Sequence, residues 1–442
     1  MSAPASVVLP RISPLWSTYR GLRYPRSPLG SLEAFGARAG DAFEVYAGSR
    51  GWSLVTDRPS LIDAVFRREH RNFGKSTIVT ELLASYIGKG LLTSDGDYWR
   101  QQRRLIQPGF SRERLARLVN DIDGEVHAWV TGLPTGTDVD LYPTTLPLAL
   151  QIMSRVLFSG RVTDAELHTI ANAVELGQRD LAAEMRQPLL KPWRRLTNSR
   201  AAADAETRRS VDILLRQIAE HRGDARTYDD LLQMLLEARY DDGTAMSDAQ
   251  LVDETLVLIL AGHETTAITL ACTLWLLSKS PEWCARIRAE WREVVGVESL
   301  TAAHLHRLPV LTAVLREGLR LYPPAYLVSR VAREAIELEG IRIRAGQTVL
   351  LNIYSAHRHP SAFVRPNAFR PERYLERETT TNFAFGGGPR LCVGYHLAML
   401  ELQIAVGRLL TTRSLAASAQ ADLSFTASAT LRPEGGTRVS IA

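Results

Sequence analysis

The sequence has little cysteine and no segment that resembles a sorting signal. Only three cysteines occur among its 442 residues, Cys272, Cys284 and Cys392, too few for a disulfide framework and consistent with a reducing cytosol. The first ten residues lack a basic region and a long apolar run, so we expect neither a signal peptide nor a transmembrane anchor there. Internal repeats and low-complexity segments are absent as well. These features predict a cytoplasmic globular protein.

The composition is that of an ordinary globular protein with a basic charge balance. Hydrophobic residues make up 45% of the chain and charged residues 23%, which allows a large buried core. The formal net charge is +5, and a basic surface suits nucleic acid, a membrane or an acidic protein. Because the chain has no nucleic-acid motif, an acidic protein partner is the favoured interpretation.

The most informative stretch is the ten-residue segment FGGGPRLCVG, which runs from Phe385 to Gly394. Half of its residues are Gly or Pro, which predicts a tight irregular loop. Cys392 lies just before a predicted helix that starts at Tyr395, where free N–H groups and the helix dipole stabilise a thiolate. A thiolate in such a loop suits a soft metal ligand. The alternative is a buried structural cysteine beside an ordinary turn.

This loop resembles the F-G-x-G-x-R-x-C-x-G motif of the cytochrome P450 family, the haem-thiolate monooxygenases, at Phe385, Gly386, Gly388, Arg390, Cys392 and Gly394. Three further family motifs occur in the expected order, so the resemblance extends from about Trp99 to the C-terminus. It implies haem b (iron protoporphyrin IX) as the cofactor, with Cys392 as the axial iron ligand. It also implies that Phe385 packs near the sulfur and that Arg390 pairs with a haem propionate. Thiolate ligation favours O–O cleavage.

A second motif lies on a helix predicted over Asp97–Ile106. Trp99 and Arg103 are four residues apart and share one helix face, and the pair resembles the W-x-x-x-R contact to a haem propionate. Arg100 and Arg104 lie on an adjacent stripe. They are either solvated charges or a landing patch for an acidic electron carrier.

A long helix is predicted to begin at the capping box Ser247–Gln250 and to end near Leu277. Its middle is apolar all round, which predicts burial, while interior charges exclude a fully apolar membrane span. Gly262 costs about 1 kcal/mol relative to alanine inside a helix, so we expect something to approach it closely. The simplest such neighbour is another helix.

The same helix contains the segment AGHETT, residues 261–266, which resembles the family signature A-G-x-[E/D]-T-T. The resemblance implies that Gly262 lies against the haem, that Glu264 supplies protons and that Thr265 lies beside the O₂. The Thr265 hydroxyl is expected to bond a carbonyl one turn back and to bend the helix. His263 is interpreted as a structural histidine.

Three charged residues are implied to form a structural network. Glu317 and Arg320 are three apart on one predicted helix face, and Pro371-Glu-Arg373 follows. The resemblance joins Glu317, Arg320 and Arg373 into a buried triad for folding and haem retention. Arg330 resembles a further propionate partner. The histidines of the His357-Arg-His359 run are interpreted as structural.

The resemblance implies one haem domain over residues 1–442, mainly α with a smaller β-rich lobe, in the cytochrome P450 fold. Residues 1–30 are expected to form an irregular arm. The Arg-rich stretch Trp193–Arg209 is interpreted as a solvated helix face, with contact to a membrane surface as the alternative.

The implied function is insertion of one oxygen atom from O₂ into a lipophilic small molecule, by hydroxylation or epoxidation. Fatty acids, terpenoids, carotenoids, steroids and polyketides all remain open. Electrons are expected from a separate ferredoxin or flavodoxin and its NAD(P)H reductase, since no flavin or iron–sulfur segment is recognisable. The rivals are a haem-thiolate peroxygenase or isomerase, which the Glu264-Thr265 pair disfavours, and a non-catalytic haem sensor or carrier.

Overall fold

The structure, a computed structural model, describes residues 8–14, 28–46, 51–186, 201–223, 228–376, 381–419, 423–427 and 429–442. Most of the expected N-terminal arm lies outside these ranges, as do residues 193–200 of the Arg-rich stretch. Within the arm, Arg11–Ile12 form a short strand and a helix begins at Pro28.

Helices dominate the described chain, and short strands form a smaller part of it, so the predicted fold class is confirmed. The strands are β1 (Arg11–Ile12), β2 (Ala42–Tyr46), β3 (Trp52–Thr56), β4 (Phe73–Lys75), β5 (Gly136–Asp140), β6 (Leu327–Ala332), β7 (Ile336–Leu338), β8 (Ile341–Ile343), β9 (Thr348–Asn352), β10 (Leu415–Ala417), β11 (Phe425–Ala427), β12 (Leu431–Pro433) and β13 (Arg438–Ile441). The α-helices are α1 (Pro28–Ala39), α2 (Pro59–Asp63), α3 (Ala84–Ile87), α4 (Gly96–Ile106), α5 (Arg112–Arg117), α6 (Val119–Gly132), α7 (Tyr142–Phe158), α8 (Asp164–Arg186), α9 (Ala201–Gly223), α10 (Leu231–Glu237), α11 (Asp248–Ser278), α12 (Pro281–Val294), α13 (Ala302–His306), α14 (Pro309–Leu321), α15 (Ile353–Ala356), α16 (Glu372–Leu375) and α17 (Tyr395–Thr412).

The chain forms two compact units. The first comprises Met1–Thr80, Arg316–Cys392 and Phe425–Arg432, and the second comprises Glu81–Leu315, Val393–Ser424 and Pro433–Ala442. Each unit is described by itself below.

The first unit is built on a six-stranded sheet with the order β1-β2-β3-β9-β6-β4. The hairpin β2–β3 pairs Ala42 with Thr56 and Tyr46 with Trp52. Strand β9 runs parallel to β3 and antiparallel to β6. One buried apolar cluster joins the sheet to the segment that starts with α2, and it includes Leu61, Ile62, Phe66, Val349 and Leu351. Each such side chain contributes roughly 1.5–3 kcal/mol of hydrophobic stabilisation.

The second unit is mostly helical and contains the long helix α11. Its predicted capping box is confirmed: Ser247 Oγ accepts a bond from the Gln250 amide at 3.3 Å, and Gln250 Oε1 accepts one from the Ser247 amide at 2.8 Å. The helix is long and apolar enough to cross a membrane, but its most apolar window is 83% buried. That burial is typical of the core helix of a soluble protein.

A three-stranded sheet in the second unit has no counterpart among the predicted elements. Its order is β10-β13-β5. Helix α6 ends at Gly132, and β5 then begins at Gly136 and pairs with β13 near the end of the chain. Pairing over some 300 residues leaves no local sequence signal.

Glu401 on α17 is a buried acid in this unit, with only 2% of its surface exposed. Burial raises the pKa of its carboxyl to about 8, and a hydrogen bond with the Thr266 side chain opposes that shift. A carboxyl that is neutral in the folded protein but ionised in the unfolded chain favours unfolding as pH rises.

We therefore expect Glu401→Gln to stabilise the protein at pH 8 by an amount on the order of a few kcal/mol. The folded pKa lies above the unfolded one, so the native carboxyl binds the extra proton between about pH 4.5 and pH 8. The difference in melting temperature between variant and wild type should vanish near pH 4.5 and grow toward pH 8. Glu282→Gln changes an exposed side chain and serves as the control. Its difference in melting temperature from the wild type should not vary with pH. A pH-independent difference for Glu401→Gln would contradict the assignment.

Candidate active site

The loop around Cys392 in the first unit is irregular, as predicted, and two of its glycines have positive φ angles. These are +76° at Gly386 and +62° at Gly388. A Cβ atom at position 388 would lie 2.1 Å from the Phe66 carbonyl oxygen, so only glycine fits there. The Cys392 amide donates to the Phe385 carbonyl at 3.0 Å, which closes the loop. The Cys392 side chain is exposed.

The other two cysteines differ from Cys392 because both are buried. Burial raises the pKa of both thiols, that of Cys284 to about 11, and a protonated thiol is a poor metal ligand. Within the described ranges, no cluster of three or more His, Cys, Asp or Glu could hold a free metal ion.

Arg330 lies on β6 directly opposite Lys75 on β4. Two cations in opposed positions of an antiparallel pair destabilise a sheet, so this register favours an anionic group beside them. The Arg330 guanidinium also lies 5.3 Å from the centre of the Phe66 ring. Arg390, in the glycine loop, is partly exposed. Arg330 and Arg390, the propionate partners that the resemblance implies in this unit, are thus accessible. At Arg330 the local charge also suits a carboxylate.

The structure brings Glu317, Arg320 and Arg373 together. The Glu317 carboxylate accepts from Arg320 Nε at 2.8 Å, from Arg320 Nη2 at 2.9 Å and from Arg373 Nε at 3.1 Å. All three side chains are at most 1% exposed. Arg320 Nη1 donates further to the carbonyl oxygens of His357 and Pro366. The charges are therefore buried with nearly all of their hydrogen-bonding groups satisfied.

In the second unit, Trp99 and Arg103 lie on α4, whose bounds match the prediction to within one residue. Both are partly exposed, and Arg103 Nε donates to Gln107 Oε1 at 3.0 Å. The neighbouring arginines are ion-paired: Arg100 with Asp97, and Arg104 with both carboxylate oxygens of Asp241. These pairs cancel most of the local positive charge, so the structure adds no support for a landing patch at these two arginines.

Helix α11 exposes only three residues between Glu254 and Ser278, namely Ala261, Gly262 and Thr265. They are at positions i, i+1 and i+4 and form one accessible stripe in an otherwise buried helix. Thr265 Oγ1 donates to the Ala261 carbonyl at 2.6 Å, the backbonding expected from the sequence. The stripe thus borders a space large enough for solvent.

The close neighbour expected at Gly262 is a helix, α7. A Cβ atom on Gly262 would lie 2.5 Å from Met153 Sδ. Packing against α7 thus explains the glycine, and its contact with haem stays a prediction.

Glu264 is buried and faces polar side chains of two other helices. Its Oε2 accepts from Gln178 Nε2 on α8 at 3.1 Å, and its Oε1 lies 3.5 Å from the Tyr142 hydroxyl on α7. His263 bonds the Ile259 carbonyl through Nδ1 at 2.6 Å, which fits the structural role expected of it. The sequence analysis did not find Tyr142 or Gln178, since they are 122 and 86 residues from Glu264 and belong to no motif.

Helix α11 also holds the loop that follows α3. Asp253 Oδ2 accepts from the Lys89 amide at 2.8 Å, and Glu254 Oε2 accepts from the Leu91 amide at 2.7 Å. Gly88 (φ +83°, ψ −178°) makes this approach possible. The segment over residues 75–90 contains two short helical turns, Ile78–Leu83 and α3.

Comparison with known proteins places the chain in one family. The family described as cytochrome P450 matches residues 10–438. Cyclooctatin synthase of Streptomyces melanosporofaciens is 33% identical, over 86% of this chain and 84% of that one. Pentalenene oxygenase of Streptomyces avermitilis is 29% identical over 97% and 94% of the two chains, and the cyclooctat-9-en-7-ol 5-monooxygenase of Streptomyces melanosporofaciens is 30% identical over 92% and 87%.

Solved structures share the fold. The haem domain of cytochrome P450DA superposes with a TM-score of 0.86 at 24% identity, covering 99% of this chain and 98% of that one. A cyanobacterial relative with bound retinoic acid gives a TM-score of 0.84 at 21% identity, with 99% and 100% covered. The fold expected from the resemblance is confirmed.

The Gly88 position yields a stability prediction. We expect Gly88→Ala to lower the free energy of unfolding by about 1–3 kcal/mol, because its backbone region is almost restricted to glycine. A Cβ atom would also lie 2.1 Å from Asp253 Oδ1. Denaturant unfolding followed by circular dichroism measures the change. Gly124→Ala, a helix position with open space around it, should be neutral or stabilise by up to about 1 kcal/mol. Equal effects at both positions would contradict the close contact.

Proposed function

Because this chain belongs to the cytochrome P450 family of haem-dependent monooxygenases, we propose that it oxygenates a lipophilic terpenoid, by hydroxylation or epoxidation. The observation that carries the proposal is the accessible stripe of Ala261, Gly262 and Thr265 within the buried helix α11. Support for the substrate class comes from the relatives named for cyclooctatin and pentalenene, which are bacterial terpenoid oxygenases. A ligand panel in which fatty acids or steroids shift the haem absorption and terpenoids do not would contradict this class.

The haem supplies the iron centre at which O₂ is activated. We propose that Cys392 ligates the iron and that Phe385 packs near its sulfur. Arg330 and Arg390 in the first unit, and Trp99 and Arg103 in the second, are the proposed partners of the propionates. The exposed thiol of Cys392 and the opposed cations of β4 and β6 support this assignment.

Proton delivery is proposed to depend on Glu264 and Thr265. The Thr265 hydroxyl donates a hydrogen bond to the Ala261 carbonyl. The lone pairs of the hydroxyl oxygen can therefore accept a hydrogen bond from water in the accessible space. Glu264 is the proposed proton supplier, and Gln178 and Tyr142 hold its carboxylate through neutral donors.

The proposed electron donor is a ferredoxin or flavodoxin with its NAD(P)H reductase. The net charge of +5 supports an acidic carrier. The cytoplasm is the proposed location, because three cysteines are too few for a disulfide framework and suit a reducing compartment. The rival functions are a peroxygenase or an isomerase, and the Glu264-Thr265 pair argues against both since neither needs protons for O₂ activation.

The ligand assignment predicts the outcome of Cys392→Ser. The purified variant should lose the red-shifted Soret band of the ferrous carbon-monoxide complex, because serine cannot provide a thiolate. Cys272→Ala removes a buried thiol instead and should keep that band. An unchanged spectrum in Cys392→Ser would exclude Cys392 as the ligand.

The proton pathway predicts uncoupling in Thr265→Ala. Alanine removes the hydroxyl but preserves the helix, so reductant and O₂ should still be consumed while hydrogen peroxide rises. Product formation should fall by a factor on the order of 10²–10⁴, the usual contribution of acid–base assistance. Product, peroxide and NAD(P)H are measured with a terpenoid that shifts the haem absorption of the wild type.

Thr269→Ala is the matched control for this experiment. Thr269 lies one turn further along α11 and makes the same type of bond, to the Thr265 carbonyl at 2.8 Å, but it is buried. Coupling should remain close to that of the wild type. Undiminished coupling in Thr265→Ala itself would favour the peroxygenase or isomerase alternative.

A further inference from the structure

His357 is a fully buried histidine in the first unit, directly after α15. Its Nδ1 lies 3.1 Å from the Arg320 carbonyl oxygen, and its Nε2 lies 2.8 Å from the Phe383 amide nitrogen. A carbonyl only accepts and an amide N–H only donates, so Nδ1 carries the proton and Nε2 is an acceptor. The imidazole therefore links two separate backbone segments.

The connection to Arg320 is reciprocal. Arg320 Nη1 donates to the His357 carbonyl at 2.6 Å while the Arg320 carbonyl accepts from the imidazole. Burial and the nearby Arg320 charge lower the pKa of His357 to about 3, so Nε2 keeps its lone pair at physiological pH. His357 is thus fixed to the Glu317–Arg320–Arg373 network by both its backbone and its side chain.

On its other side, His357 holds Phe383. The two rings stack with an interplanar angle of 8° at 6.0 Å, and the Phe383 ring also lies 6.0 Å from that of Phe66. The Phe383 carbonyl in turn accepts from the Gly386 amide at 2.8 Å. Phe383 is therefore one of the points at which the glycine loop is attached to the rest of the unit.

Further contacts along the glycine loop connect Phe383 with Cys392. Gly386 begins the turn, Gly388 fits against the Phe66 carbonyl, and the Phe385 carbonyl accepts from the Cys392 amide at 3.0 Å. A shift of the Phe383 amide would thus move the loop that presents the Cys392 sulfur. No other side chain of the described residues is seen to accept a bond from that amide.

We propose that His357 is a positioning residue for Cys392, which transmits the rigidity of the buried Glu317–Arg320–Arg373 network to the loop that carries the thiolate. The inference rests on the proposed role of Cys392 as the haem ligand. It assigns to His357 an effect on thiolate ligation in addition to an effect on folding.

The test compares His357→Phe with the wild-type holoprotein. Phenylalanine preserves the stacked ring but removes both hydrogen bonds, and it leaves the buried Phe383 N–H without an acceptor. We expect the ratio of thiolate-free to thiolate-ligated ferrous carbon-monoxide complex to rise about tenfold, a change of the order that a lost buried hydrogen bond produces. The two forms are measured from their separate Soret bands, without substrate or turnover.

A matched control separates positioning from general loss of stability. Ile341→Ala removes buried side-chain atoms from β8 in the same unit, and such truncations typically cost about 2–5 kcal/mol. This variant should lower the melting temperature while it keeps the wild-type band ratio. If His357→Phe also keeps that ratio and only melts earlier, His357 is merely structural and the proposal is wrong.

Two smaller substitutions decide the question if His357→Phe does not fold. His357→Gln can place its amide oxygen near the former Nε2 and still accept from Phe383, whereas His357→Asn places its amide near the former Nδ1 and retains only the bond to Arg320. The band ratio should therefore be higher in His357→Asn than in His357→Gln. Equal ratios would overturn the proposal. Absence of the thiolate band in the wild type would instead refute the proposed function itself.

Discussion

The first unit depends on one buried carboxylate, that of Glu317, which is shared between two arginines. Removing three charges from water costs several kcal/mol per ion unless the donors and acceptors are satisfied. Here Arg320 places its remaining N–H groups on the carbonyl oxygens of His357, Pro366 and Ala368. Because one guanidinium binds backbone atoms at three points between residues 357 and 368, that segment must adopt a single path.

The second unit also buries acidic side chains, and each of them is accommodated in a different way. Glu254 accepts a backbone N–H from the loop after α3. Glu264 is held by two neutral side chains, while burial keeps Glu401 protonated through a raised pKa. Of these three acids, Glu264 is the one next to Thr265 of the accessible stripe, which is why it is the proposed proton supplier.

Local patterns in the sequence predicted those features of the structure that depend on residues close together in the chain. The capping box at Ser247 and the irregular loop around Cys392 both follow from residue types a few positions apart. Contacts between distant segments left no such signal. Examples are the pairing of β5 with β13, the hydrogen bond from the Lys89 amide to Asp253, and the hydrogen bond from the Phe383 amide to His357 Nε2. The identity of a long-range hydrogen-bond partner depends on packing, which one sequence does not reveal.

The fit of Gly388 against the Phe66 carbonyl has a consequence for sequence diversification. The clearance is set by main-chain atoms on the Phe66 side, so no choice of side chain at position 66 can make room for a larger residue at 388. A combinatorial library randomised at both positions should therefore return glycine at 388 whatever is selected at 66. Productive diversity in this part of the protein has to come from positions whose neighbours are side chains.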